Sequence, residues 1–174
     1  MDTDTTDAAC AVAHGDADGP PETRTLVAVF ASPVADYLLR YGRDLGYHTT
    51  LVEPERGRVT NDEDAATTVV SRLPDDIDGD TDVIVTDHHR PELGVYLRDA
   101  LERDVRWVGI MGNPRHPGPH VAALKDLGVP DDKIARVHRP IGLNIGSRTP
   151  PEIAIATLAG LIADRNAKPG GFDF

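Results

Sequence analysis

Short apolar runs alternate with amphipathic segments from residue 26 onward, and this alternation is the first pattern that the chain shows. Leu26–Ala31 is apolar throughout, as expected for a strand buried on both faces of a parallel sheet. Ser32 and Pro33 then offer an N-cap and a first helical residue, and apolar side chains recur at helical spacing until Gly46. A second strand, His48–Val52, completes a strand-helix-strand unit.

The same rhythm resumes after a polar stretch, Glu55–Asp82, in which we predict only a short element at Ala66–Leu73. Further strands are predicted at Asp82–Thr86, Arg106–Met111 and Arg136–His138, and further helices at Pro91–Glu102, Pro119–Leu127 and from Thr149 onward. Strands that alternate with helices imply parallel neighbours joined by right-handed crossovers. We therefore predict the α/β class: a three-layer Rossmann-like domain over residues 24–167, with a mostly parallel sheet. Its first strand should lie centrally, between the second strand and the Asp82–Thr86 strand.

The last helix begins at a boundary that three residues define. Thr149 can cap it, Pro150 suits the first helical position, and Glu152 completes a capping box. The segment that follows, Ile153–Ile162, is apolar on nearly every side. We expect the sheet to bury one side of this segment, and a tail or the second subunit of a homodimer to bury the other.

Both ends of the chain are predicted to be tails, at residues 1–23 and 168–174. The first is acidic and nearly free of bulky apolar residues, so burial cannot offset the entropy of ordering it, and we expect disorder there. It lacks the cationic and apolar parts of a targeting signal, and no apolar run reaches the roughly 18 residues of a membrane span. We expect a cytoplasmic protein that does not enter membranes.

Acidic residues outnumber basic ones by 29 to 18, which gives a formal net charge of -11. This balance argues against nucleic acid as a partner. Among the basic residues, 15 are arginine and only 3 are lysine. Many carboxylates with few lysines suggest a surface adapted to high salt, where counterions screen repulsion over a few ångströms. A solvated acidic surface in an ordinary cell is the alternative.

The first strand-helix-strand unit has the layout of a dinucleotide-binding motif, in which Glu53 would receive a ribose hydroxyl. The turn that should carry glycines instead reads Phe30–Pro33, so its backbone cannot approach a pyrophosphate closely. NAD(P) is therefore a less favoured ligand. The structural alternative is a unit without a ligand, in which Glu53 is simply exposed.

Histidines and hydroxyls follow the buried Asp82–Thr86 strand. Thr86 and His88 stand where ligands bind in open α/β sheets, so we predict a site there. The adjacent His88 and His89 diverge on any regular backbone, so a shared metal would need ligands from elsewhere. His116 and His120 have helical spacing, but the prolines and glycine between them prevent a continuous helix, and a zinc site is not favoured.

A long loop precedes the last helix and contains two glycines. Ser147, Arg148 and the free backbone amides at the helix start could receive a phosphate or another anion. Gly142 and Gly146 would then allow the loop to approach the ligand closely. The alternative is a packed connection in which Arg148 forms a structural ion pair.

Three strings of residues occur in an order that resembles the Rossmann-like domain of the XdhC/CoxI family. They are Trp107–Asn113, His138–Pro150 and Glu152–Ala154. The second string, HRPIGLNIGSRTP, is far more specific than a bare glycine fingerprint. The resemblance covers about Leu26–Arg165.

The resemblance implies an accessory protein rather than a self-sufficient enzyme. Members of this family look like proteins that bind molybdenum cofactor and assist its sulfuration or insertion into a xanthine dehydrogenase-type molybdoenzyme. The implied partners are that client enzyme and a sulfur-donor protein. Together with the sheet-edge argument, the resemblance gives as cofactor-binding candidates Glu53, Thr86, His88, Gly112, Arg115, Gly142, Asn144, Ser147 and Arg148. A nucleotide-binding redox or sensor domain and a ligand-free interaction module are the alternatives.

The chain departs from the family pattern in the segments that would touch a ligand. The glycine-rich turn of the family is Phe30–Ala35 here, and the histidine motif Thr86–His89 has its middle pair exchanged. The basic stretch after the Arg106–Met111 strand keeps only Arg115, and Asn144 stands where aspartate is common. These departures weaken the nucleotide-like subsite and the anion contacts.

The charge balance predicts that salt stabilises the fold. Repulsion among the excess carboxylates should lower the unfolding temperature in dilute buffer, and molar KCl should raise it by screening. Thermal unfolding monitored by circular dichroism at increasing KCl measures this dependence. A midpoint that stays flat or falls would contradict the prediction, and a parallel series in NaCl separates screening from the binding of a specific ion.

Overall fold

Six parallel strands form one sheet, in the order β3-β2-β1-β4-β5-β6, in a computed structural model of the chain. The strands are β1 (Thr25–Val29), β2 (His48–Val52), β3 (Thr68–Val70), β4 (Thr81–Val85), β5 (Trp107–Ile110) and β6 (Val137–His138). The structure describes residue 14 and residues 24–59, 67–113 and 115–171. β1 pairs with β2 on one side and β4 on the other, which confirms the predicted central position. The predicted disorder of residues 1–23 falls almost wholly outside the described residues.

Helices cover both faces of the sheet, which confirms the three-layer architecture. They are α1 (Pro33–Asp44), α2 (Leu93–Leu101), α3 (Pro119–Asp126), α4 (Asp131–Ile134) and α5 (Pro150–Arg165), with one 3₁₀ turn at Arg56–Arg58. The α1 and α5 helices pack on one face, and α2, α3 and α4 pack on the other. Across these described ranges, no helix is long and apolar enough to cross a membrane.

The alternation of side chains along β1 divides the core in two. Leu26 and Ala28 face α1 and α5, whereas Val27 and Val29 face α2, and all four are fully buried. Continued alternation would place Phe30 with Leu26 and Ala28. Instead its backbone adopts a φ of 75°, and its ring joins the cluster that contains Val27 and Val29. This left-handed turn at the end of β1 is strained for any residue other than glycine.

Local sequence signals set the helix boundaries. Ser32 caps α1 by accepting a hydrogen bond from the amide of Ala35 at 3.1 Å, and the left-handed Gly46 follows the end of that helix. The Glu152 carboxylate accepts a hydrogen bond from the amide of Thr149 at 3.1 Å, as in the predicted capping box. One side of α5 packs on the sheet as expected, but Ile155 on its outer side is 52% exposed within the described chain. What covers that outer side stays a prediction.

A buried carboxylate fastens the end of α5 to the start of β4. Asp82 is fully buried, and its two oxygens accept from Arg106 Nε at 2.6 Å and from Arg165 Nη2 at 3.1 Å. Arg165 also donates to the carbonyl of Asp80 at 2.8 Å. A carboxylate removed from water is tolerated only with such partners. This ionic cluster therefore holds the amino edge of the sheet against the last helix.

Replacing Asp82 tests how strongly this cluster supports the fold. Asp82→Asn leaves two largely buried guanidinium groups without their shared carboxylate, and it should lower the free energy of unfolding by about 3–5 kcal/mol. Urea unfolding measures the loss. Asp75→Asn is the matched control, because the side chain of Asp75 is 80% exposed where it pairs with Arg103, and we expect a change within about 0.5 kcal/mol. Equal losses in the two variants would contradict the prediction.

Candidate functional site

The carboxyl ends of the described strands lie at one edge of the sheet because all six strands are parallel. The predicted site residues that directly follow these ends are Glu53 after β2, Thr86 and His88 after β4, and Gly112 and Arg115 after β5. Gly142, Asn144, Ser147 and Arg148 belong to the longer loop between β6 and α5. The structure therefore brings the first group to a common edge, whereas the second group needs separate examination.

Glu53 is fully buried, so the alternative in which it is exposed is wrong. Its Oε2 accepts from the amide of Ala31 at 2.8 Å and from Arg90 Nη1 at 3.2 Å. Its Oε1 accepts from the amide of Glu55 at 2.9 Å and from Arg90 Nη2 at 3.2 Å. A carboxylate offers about four acceptor positions, and protein donors fill all of them here. This geometry does not support the predicted ribose contact of Glu53.

Arg90 is the partner that the sequence reasoning missed. Its side chain is only 4% exposed, and it contacts the carboxylates of Glu53, Glu55 and Glu92. Its guanidinium lies 4.6 Å from the centre of the Phe30 ring, within the range of a cation-π contact. Burial opposes its charge, but the hydrogen bonds to Glu92 and Glu53 outweigh burial and raise the pKa of Arg90. Its position in the loop directly after β4, where open α/β sheets bind ligands, was the sequence signal that could have identified Arg90.

Thr86 and Ser32 join the ends of β1 and β4. The Thr86 hydroxyl lies 2.7 Å from the carbonyl oxygen of Phe30, to which it donates. Ser32 in turn donates to the Thr86 hydroxyl at 3.2 Å while it caps α1. Thr86 is 9% exposed, so most of its surface is committed to this turn. The hydroxyl that was predicted to face a ligand thus holds the first turn of the motif.

His88 and His89 do not diverge as predicted for a regular backbone. Their ring centres are 4.0 Å apart, because the segment is a loop in which the Asp87 carboxylate accepts the amide of His89 at 2.9 Å. Burial, then His89 and Arg139, lower the pKa of His88, although Asp87 and a hydrogen bond to the Met111 backbone act in the opposite direction. His88 is therefore largely neutral at pH 7 and able to accept or donate a hydrogen bond.

Arg139 organises the loop after β5, and it was not among the predicted site residues. Its Nη1 donates to the carbonyl of His116 at 2.9 Å, and its Nη2 donates to the carbonyl of Asn113 at 2.8 Å. A side chain on Gly112 would place its Cβ 2.9 Å from Arg139 Nε, so this glycine makes room for the guanidinium. Within the described residues, Arg139 has no carboxylate partner. No described acid therefore neutralises its positive charge.

Arg115 contributes a second positive charge, from within the loop after β5. Its amide donates to the Asn113 side chain at 3.0 Å, and its own side chain is exposed. We call these two residues the Arg115/Arg139 cluster; they follow the carboxyl ends of the neighbouring strands β5 and β6, and Arg139 is near enough to His88 to lower its pKa. In a chain with a net charge of -11, this cluster is a local exception that favours anions.

The loop before α5 differs from its prediction at Gly142. A Cβ on Gly142 would lie 2.9 Å from backbone atoms of Ala156 and Thr157, and a Cβ on Gly160 of the same helix would lie 2.9 Å from the Cα of Gly142. Gly142 therefore permits the loop to approach the middle of α5, not a ligand. The amide of Leu143 donates to the carbonyl of Ala156 at 3.0 Å, which fixes this contact.

The start of α5 is already occupied by a carboxylate. Glu152 Oε2 accepts from the amides of Arg148 and Thr149 at 2.7 and 3.1 Å, and these two bonds lower the pKa of Glu152. These two amides are thus not free to cradle an external anion, as the sequence had suggested. The side chain of Arg148 is exposed and makes no hydrogen bond or ion pair within residues 24–59, 67–113 and 115–171. Ser147 is half-buried and Asn144 is exposed.

Metal-ligating side chains are not grouped in the part of the chain that the structure describes. No set of three or more His, Cys, Asp or Glu residues there is arranged to hold a metal ion. His116 is exposed and His120 is 7% exposed, and the latter lies against Gly118 with its Nδ1 buried and without a hydrogen-bond partner among the described residues. Burial and then the charge of Arg139 lower the pKa of His120.

The lowered pKa of His120 predicts a loss of stability on mild acidification. The unfolded chain binds the proton more readily, so the stabilisation is complete above the unfolded pKa of about 6.5 and is lost as pH falls through the folded pKa. His120→Gln should therefore show a smaller decrease in the free energy of unfolding between about pH 7 and pH 5. Urea unfolding across this range measures the slope. His116→Gln, at an exposed histidine, is the matched control, and a slope for His120→Gln equal to that of the unmodified chain would contradict the prediction.

Known proteins share this fold and part of this sequence. Residues 26–161 match the family described as the XdhC Rossmann domain. Uncharacterized protein YqeB of Escherichia coli K12 is 39% identical over 75 residues, which is 43% of this chain and 14% of that protein. A crystal structure described as a xanthine dehydrogenase from Bacillus halodurans superposes with a TM-score of 0.66 and 24% identity, over 83% of this chain and 45% of that one.

The chain thus spans less than half the length of either relative. At 24% identity, the structural likeness establishes the fold alone. The family match, in contrast, extends from β1 to near the end of α5 and includes every strand of the described sheet. On this evidence the chain belongs to the XdhC family, through its Rossmann domain.

Proposed function

We propose that this protein is an accessory factor that binds molybdenum cofactor and assists its sulfuration or insertion into a xanthine dehydrogenase-type molybdoenzyme. Membership of the XdhC family supports a role connected with that class of enzyme. The observation that carries the proposed ligand is the Arg115/Arg139 cluster at the carboxyl edge of the sheet, the edge at which open α/β sheets bind ligands; Arg139 there has no acid partner among the described residues.

The residues at this edge suit an anionic ligand with a phosphate group. Arg139 is oriented by two backbone carbonyls of the loop after β5 and has no described acid partner, while Arg115 is exposed in that loop. Neutral His88 can add a hydrogen bond beside them. Guanidinium groups bind phosphate oxygens with charge-assisted hydrogen bonds, so these residues would hold the phosphate of a molybdopterin.

In this proposal, this chain binds the cofactor and the client enzyme carries out the catalysed reaction. The cofactor, when bound, supplies the molybdenum chemistry of the finished enzyme. The side chains of this protein would hold and orient its anionic end, and the net charge of -11 would repel anions elsewhere on the surface. A client molybdoenzyme and a sulfur-donor protein are the proposed partners.

Substitutions of Arg148 test whether the proposed site extends to the loop before α5. Its guanidinium is exposed near the start of α5 and has no partner among the described residues, so it is available to a phosphate even though Glu152 holds the amides. Arg148→Ala should weaken binding of molybdenum cofactor by about tenfold or more, because it removes a charge-assisted contact. Arg148→Lys should restore binding only in part, since it keeps the charge but loses the planar fork.

Cofactor titration and co-purification measure these effects. Arg103→Ala is the matched control, because Arg103 follows α2 and its partner Asp75 lies on an exposed loop away from the cluster. A folded Arg148→Ala protein with unchanged affinity would show that the loop is structural. Absence of any cofactor binding by the unmodified protein would overturn the proposed ligand and favour an interaction module.

A further inference from the structure

We propose that Arg90 is a specificity-determining residue that closes the first strand-helix-strand unit to adenine dinucleotides. The proposal concerns the side of the carboxyl edge formed by β1 and β2, and it does not depend on the ligand of the Arg115/Arg139 cluster. It rests on three sets of contacts: those that Glu53 makes, those of the turn after β1, and those of Arg90 itself.

Glu53 stands where a dinucleotide-binding sheet places its ribose-binding acid, directly after the second strand. In such sheets the carboxylate must offer free acceptor positions to the ribose hydroxyls. Here the side chain is fully buried, and both oxygens already accept two protein donors each. A ribose could bind Glu53 only by displacing one of these donors.

The turn after β1 is likewise engaged by a protein group where a dinucleotide site would contact its ligand. In a dinucleotide site the amides of this turn face the pyrophosphate. The amide of Ala31 instead donates to Glu53 at 2.8 Å, so the turn and the acid satisfy each other. Phe30 takes the left-handed conformation at the end of the strand, with φ 75°, and its buried ring packs edge-on against Tyr96 at 5.3 Å. The ring thus occupies core space that a glycine at this position would leave empty.

Arg90 completes the closure from the opposite side of β1. It follows β4, which pairs with the far side of β1, and it reaches over the Phe30 ring to the carboxylate after β2. Glu55 and Glu92 hold the same guanidinium at 3.3 Å. Displacing Arg90 would break a nearly buried, bidentate ion pair and leave the buried Glu53 carboxylate with only its two backbone amide donors, which is strongly unfavourable. Arg90 therefore takes the place that the hydroxyl groups of a ribose would occupy.

Three proteins separate the contribution of Arg90 from that of Glu53. They are the unmodified chain, Glu53→Gln, and the double variant Glu53→Gln with Arg90→Ala. The glutamine keeps an oxygen acceptor but carries no charge, so removal of Arg90 in that background leaves no unpaired buried carboxylate. The comparison of Glu53→Gln with the double variant changes Arg90 alone.

ADP-ribose is the probe, titrated by calorimetry and by amide NMR. We expect no saturable binding to the unmodified chain or to Glu53→Gln at millimolar ligand, because Arg90 fills the subsite in both. The double variant should bind saturably, with a dissociation constant at least about tenfold below the highest ligand concentration tested on the other two proteins, and with shifts at the amides of Ala31 and Glu55. Near-ultraviolet circular dichroism of Trp107 verifies that each variant is folded.

Two results would overturn the proposal. One is saturable binding of ADP-ribose to the unmodified chain with shifts at Ala31 and Glu55, and the other is a folded double variant that still does not bind. If the double variant does not fold, hydrogen exchange of the Ala31 amide in the unmodified chain decides: exchange unchanged by ADP-ribose supports closure, and slowed exchange refutes it. Molybdenum cofactor affinity is measured separately on the Arg148 variants, so failure of one proposal is distinguishable from failure of the other.

Discussion

The buried ion pair between Glu53 and Arg90 is the interaction on which the carboxyl edge of this protein depends. Glu53 follows β2, receives the amide of Ala31 after β1, and binds the fork of Arg90 after β4. One carboxylate therefore connects the ends of three neighbouring strands. A charge with no access to water requires such a complete set of donors, so the ends of these strands cannot shift independently. The left-handed conformation of Phe30 persists because Arg90 and Tyr96 hold its ring from two sides.

This arrangement divides the edge into two parts with different chemistry. Over β1 and β2, the Glu53 carboxylate already accepts from the amides of Ala31 and Glu55 and from both terminal nitrogens of Arg90. Over β5 and β6, Arg139 is held by carbonyl oxygens, which orient the guanidinium without neutralising it. A sheet that is otherwise typical of nucleotide-binding proteins thus presents its positive charge away from the usual ribose position. The fold does not imply the ligand, because side chains at the strand ends decide which part of the edge is open.

The opposite edge of the sheet is stabilised in the same physical way. Asp82, at the start of β4, is buried and shared by Arg106 and Arg165, the second of which is the last residue of α5. This cluster fixes the carboxyl end of α5, while Gly142 and Gly160 let the preceding loop lie close against the middle of the helix. The start of α5 and the loop that carries Arg148 are therefore positioned by contacts along the whole helix.

The sequence by itself determined the elements, their order and the family, because these follow from local signals: apolar runs, the cap at Ser32, and the capping box completed by Glu152. Tertiary structure alone decided which polar groups are available. Glu53 and Arg90 are separated by 37 positions, and Arg139 and Asn113 by 26, so their pairing depends on how the strand ends meet. For the same reason the sequence suggested that Gly142 brings its loop close to a ligand, although in the structure Gly142 lets the loop pack against α5. Periodicity records which way a residue faces along its own element, but the hydrogen-bond partners of a buried charge are set by the neighbouring elements that surround it.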